Sequence, residues 1–161
     1  MGLDITAHGK IKFIRKIEAD EDMDNIYKNN LIRFWVNPHF DGRCDDIDKD
    51  GVYTSDENFG FRAGSYSGYN HWRNTLAKLG GYNSAEAVWA KETSGPFYEI
   101  INFSDCEGVI GTEVSKKLCE DFKSYKEKAE NFTDDPWFYK SYLNWLKAFE
   151  MASNDGCVSF H

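Results

Sequence analysis

The chain has 161 residues, 41% apolar and 16% aromatic, which is enough for one domain with its own core and too apolar for a disordered segment. With 27 acidic against 19 basic groups the net charge is −8, a field that repels a phosphate backbone and argues against polymeric DNA or RNA as the everyday ligand. No stretch is apolar and long enough to span a bilayer, and the first residues lack the apolar region of a secretory signal, so a cytoplasmic protein with no membrane partner is expected. Cys44, Cys106, Cys119 and Cys157 are widely spaced, with no C-x-x-C pair to mark a zinc site or a disulfide framework.

Taken in chain order, Leu3 to Ala7 alternates apolar and polar, and Ile11, Phe13 and Ile14 continue an N-terminal strand. Residues 18–24 are acidic and predict a turn or loose helix. Leu31 to Val36, rich in β-branched and aromatic residues and closed by Asn37-Pro38, predicts a second strand. Residues 39–60 are polar and punctuated by glycine, which predicts a long loop. Tyr69, Trp72, Leu76 and Leu79 repeat at helical spacing and Gly80-Gly81 ends that helix. Ser84 caps a short helix through Trp89, and Phe97 to Phe103 reads as extended. Thr112 is the expected cap of a helix with Val114, Leu118, Phe122 and Tyr125 on one face. Asp135-Pro136 starts a last helix carrying Phe138, Tyr142, Trp145, Leu146 and Phe149, and Cys157 to Phe160 closes the chain as a strand. The order predicts an α+β domain over residues 1–161, a small and mostly antiparallel sheet that includes both terminal strands, covered by about four helices.

Residues 64–73, Gly-Ser-Tyr-Ser-Gly-Tyr-Asn-His-Trp-Arg, combine rings for stacking with donors for oxygens, as the rim of a small-molecule pocket requires. Tyr66, Tyr69 and Trp72 are candidates to stack on a base. Arg62 and Arg73 would neutralise phosphates, and Ser65, Ser67 and Asn70 would donate hydrogen bonds at the start of a helix. The competing expectation for Trp72 is core packing, because Leu76 lies one turn on. In a second segment, Asn102, Ser104, Asp105 and Glu107 follow an apolar run, where polar groups commonly meet ligands; the two carboxylates suit a ribose diol.

A third string, Asp46-Ile47-Asp48-Lys49-Asp50-Gly51 followed by Glu57, fits the calcium-loop pattern and nominates Asp46, Asp48, Asp50 and Glu57 as cation ligands. Pro38 and Gly42 stand where an entering helix should be, so a turn is the competing expectation. No other cofactor is indicated. Catalytic signatures are missing: the histidines show no metal-binding spacing, no P-loop or nucleophile elbow is present, and Cys106 sits between two acids that oppose thiolate formation.

The Met1-Gly2-Leu3-Asp4-Ile5-Thr6-Ala7 start, the Gly-Ser-Tyr-Ser-Gly-Tyr-Asn string with Trp72-Arg73, and Asn-Phe-Ser-Asp-Cys-Glu-Gly at 102–108 together resemble a family of small phage and prophage proteins. The resemblance spans most of the chain and brings no established activity, hence no catalytic residues. It implies synthesis inside an infected bacterium, a setting in which small phage proteins with aromatic pockets include sponges for nucleotide immune signals such as cyclic ADP-ribose variants and cyclic dinucleotides. The expected function is therefore a non-enzymatic binder of a small nucleotide-derived signal, and a homo-oligomer fits such a pocket. The alternatives are a nucleotide-acting hydrolase or transferase using Asp105 and Glu107, with His71 as a candidate helper, and a protein-interaction module that inhibits a host factor.

Overall fold

Leu3, Ile5 and Ala7 are fully buried while Asp4 and Thr6 between them are half-buried, so the first strand turns one face to a core and the other to an open surface. The computed structural model describes all 161 residues. Four strands, β1 (Gly2–Lys16), β2 (Gly51–Ser65), β3 (Gly108–Ile110) and β4 (Cys157–Phe160), form one antiparallel sheet in the order β2-β1-β4-β3. Seven helices accompany it: α1 (Met23–Lys28), α2 (Tyr66–Leu79), α3 (Ala85–Lys91), α4 (Tyr98–Ile101), α5 (Thr112–Ser124), α6 (Lys126–Glu130) and α7 (Pro136–Ala152). This is the small α+β fold expected, with both terminal strands side by side; no helix is long and apolar enough to cross a membrane.

The main core lies between the helices and one sheet face. Trp145 of α7 sits at its centre, stacked on Trp72 at 5.6 Å and on Phe149 at 5.8 Å, with Phe61 of β2 edge-on at 5.1 Å and Phe160 of β4 at 5.5 Å. The helix that carries it is set by its first residues. Asp135 accepts from the Trp137 N–H at 3.0 Å and Pro136 occupies the first turn, where its missing N–H costs nothing. A smaller cluster of Phe34, Cys44, Ile47, Tyr53, Val109 and Cys157 lies on the opposite face of the sheet.

Four local expectations are corrected. Leu31 to Val36 is not a strand: only Ile32 bridges Tyr53, and Phe34 instead packs in the smaller cluster. The polar stretch 39–60 is a loop only as far as Asp50, because residues 51–65 form β2 along nearly the whole length of β1. A two-stranded arm at the edge of a sheet keeps one side wet, so Asp56 and Asn58 stand in it without cost. Phe97 to Phe103 is not extended either. Phe97 has φ 59° and the Tyr98–Ile101 turn follows, which buries Phe97, Ile100 and Ile101 together, as alternation in a strand would not. Finally, α5 has Gly111 at its N-cap position rather than Thr112, whose hydroxyl donates to the Gly156 carbonyl at 2.6 Å.

Trp145 fills a site bounded by other rings and cannot be replaced by collapse. Trp145→Ala is expected to lower unfolding free energy by about 3–5 kcal/mol, whereas Trp35→Ala, at a half-exposed ring, leaves it within about 0.5 kcal/mol; urea denaturation monitored by circular dichroism checks both.

Candidate functional site

Segment 64–73 is the end of β2 and the first half of α2. Gly64 has φ 130°, a value that turns the chain out of the strand, and Ser65 caps the helix by accepting from the Gly68 N–H at 3.1 Å. Helical rotation then sends Tyr69, Trp72 and Arg73 inward and leaves Tyr66 and Ser67 at the surface. Tyr69 and Trp72 are fully buried, stacked on each other at 6.0 Å, and Trp72 Nε1 donates to the Phe138 carbonyl. Burial pushes the Tyr69 phenol up to about 12. These two rings belong to the core and do not face a ligand, which corrects two of the sequence assignments. Arg62 is corrected as well: it is exposed on β2, paired with Asp4 at 2.8 Å, and lines neither of the cavities described below. Ser65 and Ser67 share a hydroxyl contact of 3.3 Å at the helix start, also outside them.

Arg73 is the inward-facing residue that does reach a cavity. Only 4% exposed, its guanidinium lies between the rings of Tyr69 and Trp89, 5.2 and 5.0 Å from their centroids. It donates to the Phe103 carbonyl at 2.6 Å and to Asn70 Oδ1, while Nε has no partner. Asn70 Nδ2 in turn donates to Asp105 at 3.0 Å, so a buried cation and a carboxylate are linked through one amide.

The second segment meets this helix from the side. Ser104 Oγ accepts from the backbone N–H groups of Cys106 and Glu107, Asn37 Nδ2 donates to the Glu107 carbonyl, and Asn102 Nδ2 donates to the Tyr98 hydroxyl. The loop is therefore fixed rather than loose. Asn102, Ser104, Asp105 and Glu107 line a cavity of about 640 Å³ together with Arg73, Trp35 and Trp89. A second cavity of about 890 Å³ adjoins it and shares Trp35, Cys106 and Glu107; Tyr66 lines it with Thr6, His8, Tyr27, Arg33 and His161. The structure thus brings Arg73, the 102–107 loop and Tyr66 around one composite depression, with Asn70 held behind it.

Sequence reasoning missed Trp35, Trp89, Tyr27, Arg33, His8 and His161. Trp35 sits in a run that reads as a strand, and Trp89 marks only the end of a short helix. The indole of Trp89 is tied by its Nε1 donating to the Ile101 carbonyl at 2.7 Å, yet the side chain stays half exposed. His8 shows how the sheet contributes. Ser55 Oγ donates to the Glu57 carbonyl at 2.8 Å and so accepts from His8 Nδ1 at 3.3 Å, which leaves Nε2 as the unprotonated nitrogen. Burial, and then the neighbouring His161, lower its pKa to about 4, so the ring is neutral at pH 7 and acts as an acceptor. His161 is held by Thr6 Oγ1 at 2.9 Å.

The calcium-loop residues are not gathered into a cation site; no group of three or more metal-binding side chains forms anywhere. Asp46 Oδ2 instead accepts from the Glu113 N–H, capping α5 from a distant loop, and Asp48 Oδ1 accepts from Asp50 N in a local turn. Glu57 pairs with Lys10 at 3.1 Å on the sheet. The spacing that suits a calcium loop is here that of a turn preceding a strand.

No protein-family model, curated protein or solved structure matches the chain.

Asp46→Ala removes a helix cap and is expected to cost about 1 kcal/mol, by the same amount in calcium and in chelator, as paired thermal melts would show. The His8 imidazole gains its proton more readily in the unfolded chain. Stability is therefore unaffected by it above about pH 6.5 and falls as pH drops from there toward 4, by about 3 kcal/mol in all. The difference between wild type and His8→Gln, followed by denaturation between pH 7 and 4, should show that slope.

Proposed function

We propose that the composite depression binds a small nucleotide-derived molecule and returns it unchanged. The observation that carries this reading is the placement of rings. The four Trp and Tyr side chains that stand out as exposed, Tyr27, Trp35, Tyr66 and Trp89, all line the two adjoining cavities, while the other large clusters of rings are buried in the core. An exposed ring keeps apolar surface in water until something stacks on it, and bases are flat groups that stack without regard to their edges. Beside these rings stand a guanidinium for an anionic group and the Asp105 and Glu107 carboxylates for sugar hydroxyls. A net charge of −8 keeps long nucleic acids away while leaving a local cationic spot for a small anion.

Binding without turnover is favoured by the bonding of the polar groups. Asp105 is held by Asn70, and Cys106 Sγ has only Ser104 Oγ at 3.5 Å, so within the 102–107 loop no nucleophile is paired with a base. Within the resemblance to small phage proteins, the role that fits is a sponge for a nucleotide immune signal in the cytoplasm of an infected bacterium.

Stacking on one base is worth about 1–3 kcal/mol. Trp35→Ala and Trp89→Ala are each expected to weaken binding of a nucleotide panel by about 10- to 100-fold, read by calorimetry with the compound recovered intact by chromatography; the melting temperature is unchanged in Trp35→Ala and lower in Trp89→Ala, which also gives up the hydrogen bond to Ile101 and the contact with Arg73. Unchanged affinity in both variants would refute the assignment of the depression.

A further inference from the structure

We infer that the ligand has two halves, each with a flat ring and an anionic group, one half seated in each cavity and the sugar hydroxyls at its middle lying over Glu107. This rests on the nucleotide-binding reading above and goes beyond it by specifying a linked dinucleotide over a single nucleotide.

The observation is a pair of arginines. Of the five in the chain, Arg15 and Arg62 hold carboxylates, on Glu21 and Asp4. Arg43 spends its donors on three backbone carbonyls. The remaining two, Arg33 and Arg73, have no carboxylate within 4 Å, and each retains a buried Nε with no hydrogen-bond partner. One of them lines each cavity: Arg73 the smaller, Arg33 the larger. Glu21 and Asp105 act on these two guanidinium groups only at longer range, so each keeps a buried donor unused, which an anion arriving in the cavity would satisfy.

Each cavity also has its own rings, Trp89 in one and Tyr27 with Tyr66 in the other, while Trp35 stands between the two. Both are open depressions, and side by side they offer more surface than one base, sugar and phosphate would cover. Glu107, exposed at the shared boundary, suits hydroxyls at the middle of the molecule. The neutral His8 in the larger cavity suits an amino group on the second base.

The test is calorimetry with AMP and GMP, with the 5′-phosphorylated dinucleotides pApA and pGpG, and with the corresponding cyclic dinucleotides. At least one dinucleotide should bind one per chain and at least 100-fold more tightly than either mononucleotide. Arg33→Met and Arg73→Lys should each weaken that dinucleotide at least 10-fold, whereas only one of the two should affect the mononucleotide. Because Arg73 is buried, melting temperatures of both variants accompany the measurement, and Arg33→Met alone suffices if Arg73→Lys unfolds. A mononucleotide that binds as tightly as any dinucleotide, with Arg33→Met without effect, overturns the two-part ligand and leaves nucleotide binding standing. Binding of none of the six overturns both.

Discussion

The stack of Tyr69, Trp72 and Trp145 decides where everything else in this protein faces. Two helices and a sheet meet there, and the rings lie 5.6–6.0 Å apart in nearly parallel or tilted planes. Because each helical residue is rotated about 100° from the last, burying Tyr69 and Trp72 fixes the direction of their neighbours as well. Asn70 and Arg73, each one residue further on, are thereby carried to the side of α2 that meets the 102–107 loop. The cavity is a by-product of the core: the same rotation that packs two rings places an amide and a guanidinium at the edge of a depression.

That dependence explains which parts could be read in advance. The terminal strands, α2, α3, α5 and α7 announce themselves through alternation, caps and helical spacing, since each buries one continuous face. The convergence of Arg73 with Asn102, Ser104, Asp105 and Glu107 was also legible, because both segments carry polar groups that a core would not accept. The choice of stacking rings was not. Helical spacing with Leu76 and Leu79 already offered core packing for Tyr69 and Trp72, but nothing in the spacing marked Trp35 and Trp89 as the exposed rings. β2 was hidden for a related reason: its Asp56, Asn58 and Gly60 mark an edge strand with one wet side, and their composition is that of a loop. In the Asp46 string the composition of a calcium loop serves a turn and a helix cap, a reminder that acidic residues satisfy backbone N–H groups as readily as they hold cations.

The electrostatics have a consistent direction. The overall charge is strongly negative, yet the two cavities hold guanidinium groups in no direct ion pair, each with an unpartnered Nε, and the His8 imidazole is kept neutral by burial. A small anion with rings would find favourable contacts confined to this one place, whereas a long polyanion would meet repulsion everywhere around it. On the proposed reading, selectivity for size would follow from the contrast between the field of the whole chain and that of the depression.

The most direct test is to recover what the protein holds. Purified protein is exposed to lysate from bacteria making nucleotide signals, washed and denatured by heat, and the released small molecules are weighed by mass spectrometry against the amount of chain. The account predicts an intact nucleotide-derived compound at about one per binding site, absent when Trp35 and Trp89 are both alanine. Release of no such compound, or of a chemically altered product, would contradict it.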